Sequence, residues 1–532
     1  MPSLTGANAS GSSQTEQAPN DLRNALDLIV NANNVDSQNF GLALQAVNLA
    51  LEGKTPTDIT AFETQYQISP GTFLALLPSI DTSAASEDED VHVGTITRIV
   101  KKLLARYSFD EIRAVYAEMI MQGLAHPSPH LRDLALFVLE KALVEDLIQS
   151  EFFLPLIGCL SSESTSVGQR VEDVLFQIAH PLPGVEALFS AEAMSILTEL
   201  LEESGTVKFR VYDLIIRVSA ISPNHLRLCQ ESELLKSLIA DLDDKADILR
   251  RLNVVQVFTT LAETDEGFQL LDNSGIIAQL VGIVSEDAHD DIGGILLVSA
   301  IIKFFGHVAA KTPETFIAAS VKHSILEAMT KQLEGEREDV RMPIVIAIGN
   351  IGATSAGLRV LVTQKTLLDA FLDMCRRAAG DAKVYIMESA SCLIGAGAPQ
   401  PGDIGEQLSD VAHGIFRAVA GQHHAVQALL RYARSAFLEP RIAALAIFKA
   451  MALHDWGHDE MNTNHDLVNF LTDRNETEAT IKEWKFSVVQ QFLAHPAASS
   501  RLNEVVRNRF VHHVRQGPFH RDVVPIVAFE SA

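Results

Sequence analysis

The chain has 532 residues, 47% hydrophobic and 21% charged, enough apolar material for several cores or one long array, which excludes a wholly disordered polymer. Its 42 Lys+Arg against 68 Asp+Glu leave a formal charge of −26, so its surface repels phosphate backbones and anionic headgroups; nucleic acid and membrane are not expected as partners, and basic protein surfaces are favoured. Four cysteines, Cys159, Cys229, Cys375 and Cys392, are too scattered for a disulfide framework and are expected as small buried side chains in a reducing compartment.

Residues 1–20 are polar and small, lack the basic start and apolar stretch of a secretory signal, and are expected to form a disordered tail on a cytoplasmic protein that also enters the nucleus. Beyond them, helical quartets with apolar residues at i, i+3, i+4 and i+7 recur, beginning at Phe40, Ile96, Ala135, Val171, Val211, Val254, Leu297, Ile344, Met387 and Ala444, the Met387 set with Ser391 in place of its third apolar residue. From Ala135 onward successive starts differ by 36, 40, 43, 43, 47, 43 and 57 residues. Those intervals match the ~40–47 residues of a HEAT or armadillo unit. A second helical segment precedes the quartet in several periods, as at Ser232 to Leu242 and Ser324 to Leu333, so each period is at least a helix pair. Asn273-Ser274-Gly275 puts a glycine turn before an apolar helix start. The charge-free run from Met342 to Leu358 contains Pro343, Gly349 and Gly352 and falls short of the ~20 residues of a membrane span, so it reads as a buried helix pair.

These features predict an all-α, armadillo/HEAT-like α-solenoid over residues 21–505, a curved superhelix whose stacked units bury a continuous core and hold a partner in a long groove. Breaks in the rhythm predict a mobile acidic loop about 81–95, a loop about 395–405 and another from Glu286 to Gly294. Residues 506–532, with Arg507, Arg509, His512, His513, Arg515, His520 and Arg521, form a basic segment that suits a cap.

Candidate chemistry is sparse. Gly53-Lys54-Thr55 matches the end of a phosphate-binding loop, but the glycine that loop needs five residues earlier is Asn48, so an ordinary turn is expected. Asp241 to Asp247 lacks the mid-loop glycine and closing glutamate of a calcium loop. His454, His458 and Asp459 offer metal-ligand types; Trp456, Gly457, Asn462 and Asn464 around them favour a polar surface connection. Neither a catalytic set nor a cofactor is expected. For partner binding, the residues that stand out are Arg210, Asp213 and Arg217, at i, i+3 and i+7 opposite the Val211 stripe, with Lys303 and His307 four apart on the Leu297 helix.

Several blocks resemble the family of 26S proteasome non-ATPase regulatory subunit 5: Lys208-Phe209-Arg210-Val211-Tyr212-Asp213-Leu214-Ile215-Ile216, Gly267-Phe268-Gln269-Leu270-Leu271, Lys303-Phe304-Phe305-Gly306, Leu467 to Arg474 and Gly517-Pro518-Phe519. The likeness follows in order from about Ser108 onward; the N-terminus, the acidic loop and the Asn350 region show little of it. It implies a monomeric assembly chaperone of the regulatory-particle base. Such a protein holds the C-terminal domain of an AAA+ ATPase subunit, the one called regulatory subunit 7, alongside other base subunits, and lets go before the mature particle forms. Fold alone also allows a nuclear-transport or vesicle-tethering adaptor, and the His454, His458 and Asp459 set a metal-dependent phosphohydrolase.

Overall fold

The computed structural model describes residues 14–30, 37–77, 87–203, 205–232, 234–286, 291–335, 338–398, 406–421 and 424–520. Among them every regular element is a helix. The chain divides into two compact units, Met1–Leu235 and Lys236–Ala532, a boundary that falls inside the helix Leu234–Asp243.

Each unit is a stack with one central helix per repeat. In the first unit these are α1 (Ser37–Ala50), α2 (Glu87–Leu104), α3 (Pro129–Leu139), α4 (Thr165–Ala179) and α5 (Gly205–Ser219). In the second they are α6 (Ile248–Leu261), α7 (Ile292–Lys311), α8 (Glu338–Ile351), α9 (Asp381–Ala396), α10 (Leu438–Met451) and α11 (Ala479–Ala494). Within a unit each central helix packs against the next. The ten quartets open on α1 to α10 in order, and all ten first members are buried. The periodicity located the central helix of each repeat.

Two further rows accompany the central one. In the second unit Ile276–Ser285, Ile325–Glu334, Lys365–Arg377 and Glu406–Ala420 stack successively, as do the short helices Asp265–Asn273, Pro313–His323 and Ser355–Thr363. The first unit repeats the scheme with Phe109–Ala125, Phe153–Gly158 and Ala191–Leu201, and with Val144–Ile148, Leu182–Leu188 and Pro223–Glu231. A period therefore carries three helices, the armadillo arrangement, rather than the pair that was the minimum reading. The fold is an all-α, armadillo/HEAT-like solenoid. Asp265–Asn273 and Ile276–Ser285 meet at 73° across Gly275, whose φ of +78° is the left-handed turn that the Asn273-Ser274-Gly275 pattern implied.

α7 is long and apolar enough to cross a membrane by length and composition, yet 61% of its most apolar window is buried between its neighbours α6 and α8, as a core helix requires. α11 has no complete quartet because Lys485 sits at a core position beside Val488, Val489 and Phe492. Its ammonium lies 3.3 Å from the Glu476 carboxylate and 4.2 Å from the Phe470 ring centre, so charge and ring together offset its desolvation.

The junction from a central helix to the next short helix is built on a glycine six residues past the last core turn. A Cβ at Gly184, Gly267, Gly357 or Gly457 would lie 1.7, 1.9, 1.8 or 1.9 Å from the carbonyl oxygen of Ile178, Leu261, Ile351 or Met451. Thr264 and Thr354 cap these short helices, each side chain accepting a 3.1 Å hydrogen bond from the glycine N–H. This recurring Thr-x-x-Gly was visible in the sequence and went unread.

Three loop expectations change. Residues 81–86 lie outside the described residues, but 87–95 begin α2 rather than extending a loop. The 395–405 loop shrinks, since α9 runs to Ala396 and residues 399–405 lie outside the described residues; of the Glu286 to Gly294 loop, Asp291 caps α7 through a 2.9 Å bond from the Gly294 N–H. Cys159, Cys229 and Cys375 are buried, and burial pushes their thiols up to about 11, 12 and 12; Cys392, on the outward face of α9, is exposed, contrary to expectation.

Gly357→Ala is expected to cost about 2 kcal/mol or more, because the junction must open to admit a methyl group. Gly282→Ala, inside Ile276–Ser285 with open space around it, should be neutral or stabilise by up to about 1 kcal/mol. Urea titration of both variants against the parent checks the pair.

Candidate protein-binding surface

The face of the central row opposite the quartets is the surface that repeats along each unit; in the first unit it exposes Leu42 and Leu49 on α1 and Val91 on α2. In the first unit its charges satisfy one another from helix to helix. Lys102 donates to the Asn48 carbonyl and side-chain oxygens at 2.8 Å, and Lys101 and Arg170 both engage Asp133. Arg170 reaches Glu140 at 2.7 Å, and Arg217 reaches Asp173 at 3.1 Å while lying 4.5 Å from the Phe176 ring centre.

The expected triad on α5 does not share one open face. Arg210 is only 7% exposed; its guanidinium donates to the carbonyls of Leu160 at 2.8 Å and Ser162 at 2.5 Å. These carbonyls close the short helical segment Cys159–Ser161, where backbone acceptors lack helical partners. The guanidinium also fills the space left by Gly168, where a Cβ would stand 2.4 Å from its central carbon. Arg210 is a structural clamp, and its assignment to a partner-contact face is corrected: helical spacing set its direction, but the long side chain turns inward to those acceptors. Beside it, 3.9 Å away, the buried Glu172 is pushed up to about 7, mainly by desolvation and then by Asp213, against the pull of Arg210 and Arg217. Asp213 and Arg217 remain half-exposed, 3.8 Å apart, and burial raises the Asp213 carboxyl against the pull of Arg217.

The second unit carries exposed apolar residues on four successive central helices. Leu249 on α6, Ile292 and Leu296 on α7, Ile346 on α8 and Tyr385 on α9 are all exposed, Ile292 to 79%. Lys303 and His307 continue the Ile292–Leu296 stripe of α7, with Lys303 exposed and His307 3.5 Å from the Glu263 carboxylate. Outward apolar side chains repeated on successive stacked helices mark a protein-contact surface. The sequence reading passed over them because an apolar residue on a helix reads as core; the signal was their place on the stripe opposite the quartet.

The His–Asp cluster is not the surface connection expected of it. His454 caps the helix Asp455–Thr463, His458 lies in its first turns, and both are fully buried. The His454 ring nitrogens face the Ser409 hydroxyl at 3.1 Å and the Ile394 carbonyl at 2.8 Å; those of His458 face the carbonyls of His454 and Phe492 at 3.0 and 3.2 Å. Trp456 stacks on His454 and His413 at 5.0 and 4.6 Å, while Asp459 faces outward, 3.4 Å from Arg501. The three residues do not converge, and among the described residues no group of three or more His, Cys, Asp or Glu is placed to hold a metal. In the acidic turn, Arg250 draws in Asp244, Asp247 and Asp241 at 3.0, 3.5 and 3.8 Å.

A model of the proteasome non-ATPase 26S subunit family matches residues 63–532. The chain belongs to this family. Human 26S proteasome non-ATPase regulatory subunit 5 is 25% identical over 428 residues, spanning 78% of this chain and 82% of that protein. The bovine protein of the same name is 25% identical over 435 residues with the same coverage. A computationally designed armadillo repeat protein for modular peptide recognition superposes with a TM-score of 0.30 at 21% identity, covering 45% of this chain and 98% of its own; the fold assignment rests on the helix stacking itself. The family match takes in α2 to α11, and with them the ion pairs of Asp133, Arg170 and Arg217 and the apolar row.

Arg210→Ala should destabilise the first unit by about 2–4 kcal/mol, leaving two carbonyls and Glu172 without their partner. Lys303→Ala should change stability by less than about 0.5 kcal/mol. The His454 ring, pushed from 6.5 down to about 4 chiefly by burial, contributes stability that is complete above pH 6.5 and drains away as pH falls toward 4. Denaturant midpoints across that window should drop with acidification, and less steeply in His454→Gln.

Proposed function

We propose that this chain is an assembly chaperone of the base of the 26S proteasome regulatory particle. In this reading it is a cytoplasmic monomer that holds the C-terminal domain of an AAA+ ATPase subunit, the one called regulatory subunit 7, until the maturing particle displaces it. Membership of the family supports a proteasome-related role, and the observation that carries the binding mode is the exposed row Leu249, Ile292, Leu296, Ile346 and Tyr385. A chaperone must grip and then lose its client, so an apolar strip flanked by Lys303 and His307 suits it better than a broad dry interface. Burying leucine and isoleucine side chains supplies affinity, and the charged rim lets a competing partner enter. Holding and release of this kind require no bond-making step, and the reading is of a non-catalytic scaffold.

The test is capture of the isolated ATPase C-terminal domain by the purified full chain. Ile292→Glu together with Leu296→Glu should weaken capture by about 2 kcal/mol or more, as loss of a central anchor does, while helicity and melting stay at parent values. Lys303→Ala should weaken it by about 1 kcal/mol or less, as expected of a rim charge. Unchanged capture by the double variant overturns the surface, and recovery from extract of transport or coat components in place of proteasomal ATPases overturns the function.

A further inference from the structure

A cleft of about 1020 Å³ opens in the second unit between consecutive repeats, away from the exposed stripe of α7. Its walls are the end of Lys365–Arg377, the start of α9, the last turns of Glu406–Ala420, the helix Ala425–Ala433 and the entry to α10. Four basic side chains line it, Arg376, Lys383, Arg417 and Arg431, against one carboxylate, Asp381. In a chain of formal charge −26 this is a local inversion of sign.

The balance sharpens on inspection of the partners. Arg376 is already paired with Asp373 at 2.5 Å. Arg417 and Arg431 are exposed, and among the described residues neither meets a carboxylate. Lys383 is 7% exposed and spends one N–H on the Cys375 carbonyl at 2.6 Å, with no carboxylate beside it. A buried ammonium bonded only to a neutral carbonyl retains unspent donors and an uncompensated charge, which is the condition an incoming anion relieves. The adjacent cleft of about 800 Å³ one repeat earlier has no such excess, since Arg341 and Arg377 there stand against Glu334, Asp339 and Asp373. The inversion separates this cleft from its neighbour one repeat earlier.

The rest of the lining selects the class of anion. Phe437, 71% exposed, and Tyr432 give the mouth an aromatic wall, and Val384 and Pro440 extend it. The volume lies at the upper end of the ~300–1,000 Å³ of small-ligand pockets, far more than one phosphate group fills. Nucleic acid meets repulsion from the remainder of so acidic a surface. We propose that this cleft binds an acidic peptide segment of a partner protein, its carboxylates on Arg417, Arg431 and Lys383 and an aromatic or aliphatic side chain against Phe437 and Tyr432.

The probe is a fluorescein-labelled peptide Glu-Asp-Glu-Phe-Glu-Asp, titrated with the full chain by fluorescence polarisation at low and high salt, with inorganic phosphate as competitor. The parent should bind it, and binding should weaken at least about tenfold in the Arg417→Glu, Arg431→Glu double variant and fall with added salt. Both arginines are exposed, so the variant should keep the parent melting temperature. Lys303→Glu should leave peptide affinity within about twofold, because it lies on the other surface. Absence of parent binding, equal binding by the double variant, or full displacement by inorganic phosphate at the peptide's own concentration overturns the proposal, the last in favour of a small-anion site. ATPase capture is read separately with the Ile292 and Leu296 variants, so either idea can fail alone.

Discussion

No single repeat of this chain can cover its own apolar surface. A three-helix unit leaves both flanks of its central helix bare, and only the preceding and following central helices close them; this is why residues such as Leu297, Ile301 and Phe304 are fully buried on a helix that would pass for a membrane span by composition. Stability along such a stack is held mostly between neighbours. The outward stripe, which contributes nothing to that closure, is therefore free to vary from repeat to repeat.

That freedom is used in two ways. Along the first unit the stripe carries its own ion pairs, Lys101 and Arg170 with Asp133 and Arg217 with Asp173, after exposed Leu42, Leu49 and Val91 on its first two central helices. Along the second it carries exposed leucine, isoleucine and tyrosine. Paired charges at a surface add little affinity for anything else, whereas exposed apolar area on a rigid row is ready to be buried. The binding potential of the fold is concentrated where the surface is least satisfied, and the basic cleft beside Lys383 follows the same logic in charge rather than in area.

The junctions carry a second constraint. Where a short helix begins, its third residue passes within van der Waals contact of the last central carbonyl, and only glycine fits at 184, 267, 357 and 457. The equivalent turn before Pro223–Glu231 uses His225 instead, whose ring reaches back to the Ala179 carbonyl at 3.0 Å. His454 does similar service toward Ile394, so imidazoles that look like metal ligands in a linear reading are spent stitching one repeat to the next.

The apolar period was enough to determine the class of fold, the number of residues per repeat and which helix of each repeat is central, because a stripe at helical spacing has one stable use, burial against a like stripe. Interruptions in that period misled: Lys485 hid α11, since its charge is tolerated only through Glu476 and Phe470, which the chain brings near by folding. The tertiary structure alone decided the sites. Helical spacing gives a residue's starting direction but not where a long side chain ends, so Arg210 turns inward to the carbonyls of Leu160 and Ser162, and His454 and His458 find backbone rather than a common ligand. Whether a charge is spent or open depends on atoms tens of residues away in the chain, and that is fixed only when neighbouring repeats come together.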